Sequence, residues 1–284
     1  ISAANAGDLT VTGGVDMSWV SLDDETTGNP IGIGSNLTFA GSGELDNGWS
    51  VALSVAHANS DVYSNTNVTV GVPGLGDFRI SQGVSGAGIC RMDDLTPNVW
   101  EEAWGTGLGT GIDKVSGAGG GAGIEWTPTG TPDGLTARIA YSPNAAGSKS
   151  ADKSGSGDDN SVSGSGYDIT LEATDAVHGL AGLTLTAGLS KITQDSNVAN
   201  YSGDQEEQTF AITYATGGFT LGYQWSTEDL GTNTGALEYT NEGYGITFNV
   251  SDDLSLGYNH FESSNGSITA EATAFQIAYT MGGA

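Results

Sequence analysis

The sequence predicts an all-β fold: one large antiparallel sheet of about fourteen strands. Three observations carry this. Apolar and polar residues alternate in run after run, as in FTLGYQWS, where Phe219, Leu221, Tyr223 and Trp225 share one face. The connections alternate in length, so one end of the sheet is trim and the other carries long polar loops. Tyr and Trp gather near strand ends, among them Trp19, Trp49, Trp126, Tyr141, Tyr167, Tyr214, Trp225, Tyr244, Tyr258 and Tyr279. Short turns at one end, long loops at the other and aromatic girdles are features of a membrane-spanning β-barrel, in which about ten alternating residues per strand suffice to cross.

The strands follow in order. Leu9, Val11, Val15, Met17 and Trp19 place the first at 8–20, and the second is expected at 32–45. Asp46-Asn47 turns the chain into 48–60, where Trp49, Val51, Leu53 and Val55 align. Strands at 65–72 and 77–83 flank the turn Pro73-Gly74-Leu75-Gly76. After a long gap come 122–128, 135–143 and 166–175, then 182–194 with Leu183, Leu185, Ala187 and Leu189 on one face. The last five are 207–216, 219–229, 237–251, 254–265 and 268–281, with tight turns at Gly217-Gly218 and Asp252-Asp253. Odd-numbered strands are followed by the longer links, such as LDDETTGNP and KSADKSGSGDDNSVSG.

A two-sheet sandwich would also need an apolar face, but its core is small for fourteen uniformly patterned strands. Charge placement favours the barrel. A Lys or Arg facing lipid at the midplane costs about 2–4 kcal/mol. By alternation Arg79 and Arg138 lie opposite their apolar neighbours and face the interior. So do Asp16, Glu125, Asp168 and Glu172, the expected interior acids. Lys191 falls on the apolar face near a strand end, from which it is expected to snorkel.

The 284 residues include 34 acidic ones against 7 Lys plus Arg, a net charge of −27. This excludes nucleic acid as a partner, because phosphate binding needs clustered cations. It favours cations. Cys90 is alone, so no internal disulfide forms, and it is expected to be a small buried residue. His57, His178 and His260 have no zinc spacing. No nucleophile elbow, phosphate loop, zinc-protease motif or catalytic triad is evident, so no enzyme and no catalytic residue is predicted. GGAGIE at 120–125 narrowly misses a calcium β-roll repeat and occurs once, where such repeats must stack.

Residues 84–121, after the fifth strand, form the largest gap, and within them GICRMDDLTPNVWEEAW stands apart. Thr96 suits a helix cap, Pro97 the first helical position, and Trp100 and Trp104 fall one turn apart. The stretch gathers Arg91, Asp93, Asp94, Glu101 and Glu102. Arg91 is expected to pair with Asp93 or Asp94, and the tryptophans to anchor the loop. For the acids, plain solvation is the alternative to lining a pore.

The start LTVTGG, the second hairpin DNGWSVALS and, most specifically, MDDLTPNVWEEAW resemble the general bacterial porins, most closely those of marine alphaproteobacteria. The resemblance covers essentially the whole chain. It implies a sixteen-strand barrel in the outer membrane of a Gram-negative bacterium, a homotrimer, and passive diffusion of small hydrophilic solutes and ions. It implies that the third external loop folds into the barrel and narrows it. Asp93, Asp94, Glu101 and Glu102 would then face the constriction with Arg79 and Arg138 on the opposing wall. A transverse field across a narrow passage filters ions. The basic wall is thin here, so cation preference is expected.

Three further expectations follow. Ala4-Asn5-Ala6 has the small-x-small form of a signal-peptidase site, so residues 1–6 read as the tail of an export signal, a plain flexible terminus being the alternative. Gly282-Gly283 reads as another tight turn, so 7–284 is expected to lack the last two of sixteen strands. Acidic outer segments, Asp23-Asp24-Glu25, Asp158-Asp159 and Asp204 to Glu207, suit weak calcium or magnesium binding, bridging to lipopolysaccharide, or simple solvation. No other cofactor is expected. A competing reading is a secreted or surface-attached structural or adhesin protein with ion-binding loops.

Overall fold

The computed structural model describes residues 9–19, 31–58, 61–81, 87–93, 95–99, 103, 123–145, 163–195, 199–235 and 238–280. Fourteen strands form one sheet in sequential order, each antiparallel to the next. They are β1 (Thr10–Trp19), β2 (Ile31–Glu44), β3 (Ser50–Ala58), β4 (Asp61–Val72), β5 (Gly76–Ser81), β6 (Gly123–Pro128) and β7 (Leu135–Ser142). Then follow β8 (Ser163–Ala173), β9 (Leu183–Gln194), β10 (Gln205–Thr216), β11 (Phe219–Asp229), β12 (Glu238–Asn249), β13 (Leu254–Ser264) and β14 (Thr269–Tyr279). The sheet runs from β1 to β14 without closing on itself.

The faces are inverted relative to a water-soluble protein. On β10, Phe210 is 41% exposed while its neighbours Thr209 and Ala211 are 4% and 0% exposed. The same holds on β7 to β14. Ile139, Ile169, Leu189, Leu221, Ile246 and Leu256 are exposed, and Thr170, Ser190, Gln224, Asn241, Asn259 and Gln276 are buried. Burying polar groups and exposing aliphatic ones costs free energy in water. It is the stable arrangement when the outer face meets hydrocarbon. Register follows from this, since a one-residue slip would turn every side chain to the wrong face. Aromatic pairs reinforce the outer face: Phe219 stacks on Phe248 at 4.3 Å, Phe78 on Trp126 at 6.1 Å, and Tyr258 meets Phe275 at 4.9 Å.

The trim end is built from tight turns. Gly217 and Gly218, at φ 56° and 88°, supply the two left-handed residues of a two-residue hairpin between Thr216 and Phe219. The β8–β9 link instead holds one helical turn, α1 (Asp175–His178), closed by Gly179 N–H donating to Asp175 O at 2.7 Å. The loop asymmetry has two exceptions. β4 begins at Asp61, four residues earlier than expected, so only residues 59–60 separate it from β3, and residues 265–268 join β13 to β14.

Lys191 lies on the outer face but does not merely snorkel. Its ammonium pairs with Asp204 at 3.0 Å and Glu206 at 2.8 Å at the long-loop end. The Lys191 hydrogen bond holds the Asp204 carboxyl below its usual range. Residues 1–6, Asp23 to Glu25, Asp158-Asp159, Gly120 to Ala122 and Gly282-Gly283 lie outside the described residues. Among the described residues no helix is long and apolar enough to cross a membrane.

Candidate functional site: a loop laid along the polar face

The chain leaves β5 and returns over the polar face of the same sheet. Its first element is a 3₁₀ turn, Gly88–Met92. A helical turn begins with backbone N–H groups that lack partners. Here the sheet supplies them. Gly88 N–H donates to Glu125 Oε2 of β6 at 2.6 Å, and Ile89 N–H donates to Asp168 Oδ2 of β8 at 3.0 Å. Both carboxylates are buried. The Arg91 guanidinium pairs with the other oxygen of Glu125, and not with Asp93, one of its two expected partners; the other, Asp94, lies outside the described residues. Glu125 is the better partner because it is already desolvated and fixed by Gly88.

Gly88 has no alternative. Its φ is +58°, and a Cβ there would strike the Asp168 carboxylate. Gly88→Ala is expected to cost more than about 1 kcal/mol and to displace the turn. A lowered unfolding midpoint in detergent, with increased open-channel noise, checks it.

Beyond Met92 the chain crosses β9 to β14. The Ile89 and Met92 side chains are buried over Gly188 of β9. Gln224 of β11 then grips the backbone with both ends of its amide. Its Nε2 donates to Met92 O, and its Oε1 accepts from Leu95 N–H at 3.0 Å. Gln276 of β14 accepts Val99 N–H at 3.0 Å. Pro97 lies against Gly222 and Gly245, Thr96 against Gly243 and Gly245, and Val99 against Gly257. Ala103 packs on Phe261 and Ala272.

This arrangement corrects the helix start expected at Thr96-Pro97; residues 100–102 and 104 lie outside the described residues, and Ala103 is in 3₁₀ conformation. Leu95–Val99 is irregular, because its N–H groups go to glutamine side chains on the sheet and not to carbonyls one turn back. The Thr96 hydroxyl is buried without a hydrogen-bond partner, so it caps nothing. A described 3₁₀ turn lies earlier, at Gly88–Met92.

The expected site residues divide as follows. Glu125, Asp168 and Glu172 share the polar face, with Arg79 directly opposite Glu125 on β5 and Arg138 on β7. Arg79 interacts electrostatically with Glu125 and Arg91, and Arg138 with Arg91, Glu125 and Glu172. The three arginines, on β5, on β7 and on the first turn of the loop, therefore gather beside the loop's root. Asp93 lines a narrow cleft with Gln224, Ser226, Asn241 and Phe261. Cys90 is buried. Asp16 lies within β1, but its side chain is outside the described set, as are Asp94, Trp100, Glu101, Glu102 and Trp104. Among the described residues no three or more His, Cys, Asp or Glu side chains converge on a metal position.

Sequence reasoning missed the docking residues Gln224, Gln276 and Phe261 and the glycines beneath the loop. A signal existed: LGYQW, EGYG and LGYNH put glycine on the polar face of three successive strands. Glycine there is poor for a strand but leaves a shallow track for a second backbone.

An inverted antiparallel sheet with a loop laid along its polar face defines a membrane-spanning β-barrel pore. The profile of the Gram-negative porin family matches residues 2–282, and the chain belongs to that family. Among solved structures it is similar to OmpF of Salmonella typhi in complex with daunomycin, at 14% identity and TM-score 0.65, covering 96% of this chain and 86% of that one. It is similar to the anion-selective porin from Comamonas acidovorans, at 14% identity and TM-score 0.61, covering 95% and 83%. It is similar also to outer-membrane expressed OmpT of Vibrio cholerae, at 14% identity and TM-score 0.56, covering 95% and 79%. No curated protein sequence matches the chain. The protein is an outer-membrane porin, and family and fold point to a channel rather than an enzyme.

Proposed function

We propose that the protein is a general diffusion pore that passes small hydrophilic solutes and prefers cations. The observation that carries the preference is the charge beside the docked loop. Among the described residues, Asp93, Glu125, Asp168 and Glu172 lie there, and Glu207 and Glu228 are buried on the same polar face, with only Arg79, Arg91 and Arg138 to offset them. In a narrow, low-dielectric passage an excess of carboxylates lowers the energy of a cation and raises that of an anion. The likeness to an anion-selective porin concerns the fold alone, because side chains set the sign.

Asp94, Glu101 and Glu102 add to the acidic side in this reading, and Trp100 and Trp104 anchor the loop. Three copies assemble through small residues on the first strands, Gly13, Val15, Val51 and Val55, with lipid and lipopolysaccharide around them. The test is the reversal potential under a potassium chloride gradient across a planar bilayer. The expected sign is that of a potassium-preferring pore. Chloride preference overturns the reading.

A further inference from the structure

The acidic run Asp204 to Glu207 does not act as one cluster. Strand alternation splits it. Asp204 and Glu206 turn outward to Lys191, while Glu207 turns to the polar face and is 3% exposed. There the register places it in a transverse row with two other side chains. Ser190 of β9 lies directly opposite on one side and Glu228 of β11 directly opposite on the other. Glu228 is 2% exposed.

We propose that Glu207, Glu228, Ser190 and Gln205 form a binding site for one divalent cation, calcium in preference to magnesium, on the polar face of β9–β11. Two observations mark its position. The first is the Gln205 amide, whose Nε2 donates to Glu207 Oε1 at 3.1 Å and to Glu228 Oε1 at 3.0 Å. One positively polarised group therefore sits within reach of both carboxylates. Like charges directly opposite in a sheet repel, and burial sharpens the repulsion. A cation between them converts that cost into attraction. The second is Ser190, a buried residue whose hydroxyl has no hydrogen-bond partner although Glu207 is its cross-strand neighbour. Its oxygen is available as a neutral ligand.

Half a turn of the Gln205 amide exchanges its donor for Oε1 and adds another oxygen. Both glutamates have further interactions, which water ligands and small side-chain movements accommodate. The donor set is all oxygen and irregular. Calcium accepts six to eight oxygens in flexible geometry, whereas magnesium demands a near-ideal octahedron.

Equilibrium dialysis of calcium against the detergent-folded protein in 0.1 M potassium chloride tests this, since it needs no conduction. The expected result is one saturable ion per chain. Glu228→Gln and Glu207→Gln are expected to weaken uptake at least tenfold, and Ser190→Ala several-fold. Asp204→Asn, on the opposite face, is expected to leave it unchanged. A second readout is block: millimolar calcium should reduce the unit potassium conductance of the wild type and not of Glu228→Gln. No saturable uptake by the wild type overturns the proposal. So does uptake by the Glu207 and Glu228 variants equal to that of the wild type, or loss confined to Asp204→Asn. Should Glu228→Gln fail to fold, Glu228→Asp keeps the charge and shortens the arm, and unchanged uptake by that variant also overturns it.

Discussion

Glu125→Ala is expected to destabilise the folded porin by about 3–5 kcal/mol and to shift its selectivity toward anions. The Glu125 carboxylate accepts the Gly88 N–H and pairs with Arg91, and its side chain is only 5% exposed. Removing it leaves a guanidinium without its counter-charge in a desolvated site. Arg79 and Arg138 stand beside that guanidinium and add repulsion. The first N–H of the 3₁₀ turn loses its acceptor too, so the loop loses its root. Glu125→Gln keeps an acceptor for Gly88 and removes only the charge. It should fall between the wild type and Glu125→Ala in stability while showing most of the selectivity shift. Urea unfolding in detergent together with the reversal potential separates these two effects. Equal stability of all three proteins would show that the loop is held elsewhere.

The second large effect is on the opposite face. Ile169, near the middle of β8, is 41% exposed on the outer side. Ile169→Arg is expected to cost about 2–4 kcal/mol in a bilayer, the cost of a lipid-facing charge near the midplane. The adjacent Thr170 supplies the control. It is fully buried on the polar face, and its hydroxyl has no hydrogen-bond partner. Replacing a polar group that makes no bond by an apolar group of the same shape is near neutral or stabilising. Thr170→Val should therefore change stability little, or raise it. Two neighbouring substitutions, one polar-to-apolar on the inner side and one apolar-to-charged on the outer side, are thus expected to have contrasting outcomes. Unfolding from lipid vesicles measures both. A tolerated arginine at 169 would place that face in water.

The strands were legible because a membrane-spanning sheet writes its two faces into a period of two, and that signal is local. The alternation in LTLTAGLS and FTLGYQWS needs no knowledge of what lies across the sheet. The interior acids Glu125 and Asp168 were legible for the same reason. Their partners were not. That Arg91 reaches Glu125, thirty-odd residues away, depends on where the loop lies, and nothing in GICRMDD encodes it. The helix start expected at Thr96-Pro97 is missing from Leu95–Val99 for a similar reason. The local cap-and-proline pattern is sound, but Gln224 and Gln276, each more than a hundred residues away, offer the backbone a competing set of hydrogen bonds. Tertiary contacts override local propensity in such a segment. The split of Asp204 to Glu207 between two faces was legible in principle, since alternation alone assigns it once β10 is known to begin at Gln205 and not at Glu207.

The central claim is that this chain forms a water-filled pore narrowed by residues docked on its polar wall. Unit conductance of the detergent-folded, full-length protein in a planar bilayer tests it most directly. The account predicts discrete, long-lived steps, and noisier, more variable steps when Gln224→Ala loosens the dock. Protein shown to be folded and inserted that carries no current, or whose conductance is indifferent to the dock, would contradict it.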